Sequence, residues 1–320
     1  MYQQFFGLHS APFDLTPNPE HLLLTPMHRE ALNMLQYGIS ARKGIILLVG
    51  EAGTGKTTLL RKSLSLNRQT SSTKGVDMAY VVNPTLSRGE FFQQLTDAFG
   101  FDADAATSTA TFLKRLEQRL IERRKAGLNT ALIVDEAQRL SDELIEELRL
   151  LVNIELDDAK LLPLVLAGHP ELAERLNADH LRQFKQRIVL RYSLSAFDLE
   201  DTAAYIIGRM RLAGGDATRL FTREALVAVK EASGGIPRTI NVLCDNALLT
   251  AFGLQRRRVD KEVVLEVCRD LHLPSAGSHA GAARSGTGPQ PVNGTTSGHE
   301  DKIAGRLPTG TRTWWSRRAQ

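Results

Sequence analysis

The chain has 320 residues, 42% hydrophobic and 24% charged, enough for one α/β domain, a smaller domain and a tail. Its formal net charge of +4 sits wholly in the tail, where Arg284, Lys302, Arg306, Arg312, Arg317 and Arg318 face Glu300 and Asp301; a balanced body argues against extensive contact with a nucleic-acid backbone. Two cysteines, Cys244 and Cys268, make neither a disulfide framework nor a metal set, and no run approaches the roughly 18 apolar residues of a spanning helix. The start Met1-Tyr2-Gln3-Gln4 is not a basic signal-peptide start, so a soluble cytoplasmic protein is expected, with a peripheral place at the inner membrane left open.

Phe5-Phe6-Gly7-Leu8 and Pro12-Phe13-Asp14-Leu15-Thr16-Pro17-Asn18-Pro19 read as a non-helical, proline-punctuated lead-in whose aromatics staple it onto the core domain. From His28 to Ile39 the residues Ala31, Leu32, Leu35 and Ile39 recur at helical spacing and predict a helix that packs on that domain. Residues 1–43 form this lead-in and helix.

A run of five apolar residues then breaks into Gly50-Glu51-Ala52-Gly53-Thr54-Gly55-Lys56-Thr57-Thr58, the pattern G-x-x-x-x-G-K-[ST] between a buried strand and a helix. Its glycines let successive backbone N–H groups approach a polyphosphate. Lys56 supplies a point charge for the β- and γ-phosphates, Thr57 a hydroxyl for Mg²⁺, and the helix N-terminus a partial positive charge. The stretch predicts binding of ATP with Mg²⁺.

A polar segment, 67–74, leads to a strand at 79–82, helices at 88–99 and 110–125, and the apolar strand 130–134, which ends in Asp135-Glu136. Ligands of parallel sheets collect at the carboxyl edge, so Asp135 is expected to hold Mg²⁺ and Glu136 to polarise an attacking water. A helix follows from Ser141. The strand 164–167 ends at Gly168-His169-Pro170, where His169 is a candidate γ-phosphate sensor. Arg182 and Arg187, just before the fifth strand, are candidates for an arginine finger reaching a neighbouring subunit. These elements define an α/β domain over 44–195.

Beyond it the pattern is helical, at 199–211, 222–232, 236–252 and 261–268, and predicts a small all-α lid over 196–271. Arg238, after Gly234-Gly235-Ile236-Pro237, opens the third of these helices and can contact phosphates from the lid. Arg256-Arg257-Arg258 reads as a solvated loop. Residues 272–320, rich in Ser, Gly, Thr, Ala and Pro, read as a disordered tail.

The lead-in, the helix from His28-Arg29-Glu30-Ala31-Leu32, and the motifs GEAGTGKTTLLR, DEAQ, AGHPEL, RQFKQRI and GGIPRTINVLCDNAL, in this order, resemble AAA+ ATPases of the general secretion pathway protein A (ExeA) type, including ATPases of exosortase and exopolysaccharide loci. The resemblance covers residues 1–270. It implies an AAA+ three-layer αβα domain on a parallel five-stranded sheet, with Lys56, Thr57, Asp135 and Glu136 as the Walker residues, position 169 as sensor 1 and Arg238 as sensor 2. It also implies a homo-oligomer, ring or dimer, that serves an inner-membrane secretion or polysaccharide-export apparatus. The family carries glutamine at position 169, and its secretion members continue through a membrane helix into a peptidoglycan-binding domain, whereas this chain stops at Trp314-Trp315-Ser316-Arg317-Arg318. The alternative is a DNA-binding ATPase of the transposition-helper type.

Overall fold

The computed structural model describes residues 1–14, 23–69, 76–82, 85–156 and 159–273, all in one compact unit. The chain opens with helices α1 (Tyr2–Phe6) and α2 (Pro26–Ser40), strand β1 (Ile45–Gly50) and helix α3 (Lys56–Gln69). Strand β2 (Val76–Val81), helices α4 (Arg88–Phe99) and α5 (Thr109–Lys125), strand β3 (Asn129–Val134) and helix α6 (Asp142–Val152) follow. Next come a small antiparallel hairpin of β4 (Glu155–Leu156) and β5 (Ala159–Lys160), strand β6 (Leu164–Gly168), helices α7 (Pro170–Arg175) and α8 (Arg182–Lys185), and strand β7 (Ile188–Leu194). Helices α9 (Leu199–Leu212), α10 (Ala217–Leu220), α11 (Arg223–Ser233), α12 (Pro237–Gly253) and α13 (Lys261–Asp270) complete the described chain.

The five long strands form a parallel sheet in the order β2-β3-β6-β1-β7. Strand β1 is buried on both faces, which is why its sequence reads as an unbroken apolar run rather than an alternation. Alternate residues serve different layers: Ile45, Leu47 and Val49 pack with Phe91, Phe112 and Leu148 on one face, and Ile46 and Leu48 with Leu32, Leu35 and Leu59 on the other. The register pairs Val81 with Val134, Val134 with Leu166, and Val49 with Gly168. The segments that follow β1, β3 and β6 therefore emerge side by side, and the P-loop, Asp135 and His169 meet at one edge.

Helices α9 to α13 enclose a separate core that includes Tyr205, Ile206, Ile240, Leu243, Leu248 and Val264. Side-chain caps start several of them: Asp198 accepts from Asp201 N–H, Thr222 from Ala225 N–H and Asp260 from Val263 N–H.

The lead-in differs from expectation in two ways. Tyr2–Phe6 is helical, because the prolines lie beyond it and Gly7 at φ 70° closes the turn in the left-handed region. It also joins the lid and not the α/β domain. Leu8 and Phe13 belong to the lid core, the Tyr2 hydroxyl donates to Asp245 Oδ1 at 2.5 Å, and Phe5 meets Phe252 edge-on at 5.3 Å. Arg257 lies 4.0 Å from the Phe5 ring centre and donates to the Phe5 carbonyl, while Arg256 pairs with Asp260 at 3.0 Å. Two arginines of the expected solvated loop are thus engaged with the chain itself, since an aromatic lead-in offers a face on which a guanidinium can stack. Helix α2, by contrast, packs on the sheet as its periodicity predicts. The expected disordered tail lies outside the described residues beyond Leu273, as do Leu15–Pro19 of the lead-in and Thr70–Lys74 of the polar segment.

Candidate active site

The loop between β1 and α3 turns on Gly53 (φ 82°) and Gly55 (φ 99°), backbone that side-chain-bearing residues rarely adopt. A Cβ at Gly53 would also lie 2.8 Å from Arg238 Cβ, so that position needs glycine for space as well as for its dihedral. Lys56 is buried at the start of α3, and its ammonium donates to Gly50 O at 2.7 Å and Glu51 O at 3.0 Å. Burial lowers its pKa, and the carboxylates of Glu136 and Asp135 oppose that shift. Thr57 and Thr58 occupy the first turn of α3, whose unpaired N–H groups and dipole favour an anion.

Asp135 follows β3, is 1% exposed, and gathers three donors. Thr57 Oγ1 donates to its Oδ2 at 2.7 Å, the Tyr80 hydroxyl to the same oxygen at 2.8 Å, and Glu136 N–H to its Oδ1 at 2.9 Å. Burial first, and then the Asp135 charge, raise the Tyr80 pKa, so the phenol stays a donor. Glu136 sits in the left-handed region at φ 55°, a conformation that costs about 1–3 kcal/mol for a residue with a side chain. Its carboxylate accepts from Gln138 Nε2 at 2.7 Å and lies 4.0 Å from His169 Nε2. His169 N–H in turn donates to Gln138 Oε1 at 3.1 Å.

Lys56, Thr57, Asp135, Glu136 and His169 are therefore brought together as the sequence suggests, and Arg238 joins them from the lid. Arg238 is the first residue of α12 with an N–H free to donate, and this N–H meets Gly53 O at 3.2 Å. Arg187 stands apart. The Arg187 carbonyl accepts Ile45 N–H at 3.2 Å, at the opposite end of β1 from the P-loop, roughly 16 Å along the strand. Arg182 opens helix α8, and its neighbours Leu181 and Phe184 lie in the core on one face of the sheet.

Three further residues of the site are assigned no role by the sequence. Tyr80 reaches Asp135 because β2 and β3 pair in register, with Tyr80 beside Ile133. Gln138 is visible only as the last letter of DEAQ. His28 lies under the P-loop, and in the sequence it shows only as the first residue of the helix motif that follows the lead-in.

Thr57 Oγ1 and Asp135 Oδ2 are hard oxygen donors held within 2.7 Å of each other beside the P-loop, a set that fits Mg²⁺, which takes one or two protein oxygens and completes its shell with water and phosphate. Among the described residues no cluster of three or more His, Cys, Asp or Glu could hold a metal ion by itself.

Comparison with known proteins identifies the family and the fold. The AAA domain family model matches residues 39–176. General secretion pathway protein A of Aeromonas hydrophila is 41% identical over 253 residues, which make up 79% of this chain and 45% of that protein; the chain thus spans just under half the length of the relative. Among solved structures, the ORC2 protein of Aeropyrum pernix superposes with a TM-score of 0.62 at 17% identity, over 86% of this chain and 74% of that one. Cdc6p of Pyrobaculum aerophilum gives 0.59 at 18% identity, over 81% and 70%. These two likenesses speak to the fold alone. The chain belongs to the general secretion pathway protein A family of AAA+ ATPases.

Proposed function

We propose that the chain uses ATP to drive or gate assembly of a bacterial envelope apparatus for secretion or exopolysaccharide export, acting as a homo-oligomer at the cytoplasmic face of the inner membrane. The envelope role is supported by the 41% identity to General secretion pathway protein A. Among the described residues no helix is long and apolar enough to cross a membrane.

The enzymatic part rests on one observation: Lys56, Thr57, Asp135 and Glu136 converge on one sheet edge. The P-loop N–H groups and the Lys56 ammonium bind the phosphates, and the Aeropyrum ORC2 structure, solved with ADPNP and ADP, is a precedent on this fold. Mg²⁺ held by Thr57 and Asp135 would neutralise charge that develops on the transferring phosphoryl group. Tyr80 fixes the rotamer of Asp135. Glu136 takes the proton of the attacking water, and Gln138 keeps its carboxylate in one direction. Arg182 or Arg187 would act in trans, on the nucleotide of a neighbouring subunit.

The test pairs Lys56→Ala with Glu136→Gln. Removal of the ammonium should abolish measurable ATP affinity, whereas the amide should retain affinity and lose at least about 100-fold in hydrolysis, because it cannot accept a proton. Glu136→Gln then also serves as bait in the native host, where co-purification of envelope-apparatus proteins in ATP supports the proposal. Hydrolysis by Glu136→Gln at the parental rate would remove Glu136 from the role of base.

A further inference from the structure

His28 is 3% exposed at the start of α2, and both of its ring nitrogens are engaged. Nε2 lies 3.0 Å from Thr54 O, and Nδ1 lies 2.9 Å from Thr25 Oγ1. A carbonyl oxygen only accepts, so Nε2 carries the hydrogen and Nδ1 accepts from the Thr25 hydroxyl. Thr25 Oγ1 keeps a lone pair for His28 N–H, at 3.4 Å, and thereby caps α2 without help from the imidazole. Burial lowers the pKa of the ring and so favours its neutral form.

The Thr54 carbonyl belongs to the planar peptide unit that also carries the N–H of Gly55. In a trans peptide these two groups point in opposite directions, so a carbonyl anchored outward on His28 aims the Gly55 N–H into the loop. Glycine at φ 99° has no preference of its own that would fix this plane. The adjacent carbonyl, Gly53 O, is anchored by Arg238 N–H of the lid. The His28 ring also meets Phe197 edge-on at 5.4 Å, and Phe197 N–H donates to Gly235 O at 2.9 Å, two residues before α12 begins. The P-loop is thus braced from α2 and from the lid, and the two braces touch at Phe197.

We infer that His28 is a positioning residue for ATP binding, which holds the Thr54–Gly55 peptide in the orientation that presents its N–H to phosphate. Packing alone would be served equally well by an aromatic ring without nitrogen. The orienting role requires a donor at the Nε2 position, which the side-chain amide of glutamine can also place there. The inference rests on the P-loop as the nucleotide site.

The experiment compares wild type, His28→Phe, His28→Gln and Lys56→Ala by titration with a fluorescent ATP analogue, by steady-state hydrolysis and by thermal unfolding. Loss of one neutral hydrogen bond should raise the Kd and KM of His28→Phe roughly 3- to 10-fold with kcat little changed, and His28→Gln should stay close to wild type. Wild-type affinity in His28→Phe, or equal impairment of both variants, would overturn the inference. The wild-type protein supplies a readout independent of any variant's folding: ¹⁵N NMR of the imidazole should report the Nε2–H tautomer, and an Nδ1–H tautomer would overturn the inference as well. Failure of wild type itself to bind the analogue would instead remove the nucleotide site on which the inference stands.

Discussion

Gln138 Nε2 donates to Glu136 Oε2 at 2.7 Å while Gln138 Oε1 accepts the backbone N–H of His169 at 3.1 Å. The second bond decides the first: a backbone N–H can only donate, so the amide oxygen must face His169 and its NH₂ must face the carboxylate. Replacement by Leu should remove the restraint and leave the metal ligand and the P-loop intact. The expected result is a fall in kcat of about tenfold with KM nearly constant, as when an interaction acts chiefly in the transition state. Gln138→Glu should fall further, because two carboxylates would then face each other. Steady-state kinetics of the two variants decide this, and an unchanged kcat in Gln138→Leu would show that Glu136 needs no such restraint.

The pH dependence of stability follows from His28. In the unfolded chain its imidazole takes up a proton near pH 6.5, whereas in the fold burial lowers that pKa, with the hydrogen bond to Thr54 O and the Asp201 carboxylate of α9 in partial opposition. Between the folded pKa and 6.5 the unfolded state binds more protons than the native state, so stability falls as pH drops through that window. Melting temperatures measured from pH 8 downward should begin to decline near 6.5, and His28→Gln, which does not titrate, should show a shallower decline. Parallel curves for the two proteins would assign the acid sensitivity to other groups.

Arg187 lies at the far end of β1 from its own P-loop, which suits it, or its neighbour Arg182, to act across a subunit boundary. An inactive arginine variant mixed with inactive Glu136→Gln should regain part of the hydrolysis, because some interfaces then combine an intact base with an intact arginine. The activity of mixtures at several ratios, with mixed oligomers verified by mass spectrometry, provides the check. No recovery in verified mixed oligomers would exclude both arginines from the role.

Duplex DNA should neither stimulate hydrolysis nor bind with a steep dependence on salt. The body of the chain carries no net charge, and in the basic run Arg256 pairs with Asp260 while Arg257 stacks on Phe5. Few cations remain there to displace counterions, so log affinity should change only shallowly with log salt. A slope that implies six or more phosphate contacts, together with DNA-stimulated turnover, would replace the envelope role with a DNA-directed one.

The three central strands of the main sheet are legible in the sequence because burial of both faces writes itself as runs such as Ile45–Val49 and Leu164–Ala167, whereas the edge strands β2 and β7 are only partly buried. The phosphate and metal residues are legible because their chemistry restricts residue type at a fixed spacing. What escapes such reading depends on relationships between segments. Tyr80 owes its place to the pairing of β2 with β3, and His28 to the seating of α2 beneath a loop 26 residues away. Helix α1 escapes for a related reason: five residues cannot hold a helix in isolation, and its support comes from Asp245, Phe252 and Arg257 at the other end of the described chain.

That arrangement has a consequence for biosynthesis. Tyr2 and Asp245 are 243 positions apart, and the lid core holds Leu8 and Phe13 together with residues as late as Cys268. At a synthesis rate of roughly 5–20 residues per second, the aromatic start of the chain waits on the order of 10 to 50 seconds before its partners leave the ribosome. The sheet domain, which needs only residues up to Leu194, can form during that interval. The lid closes last, around a segment made before the sheet domain, and until then Phe5, Phe6 and Phe13 are exposed to whatever the nascent chain meets.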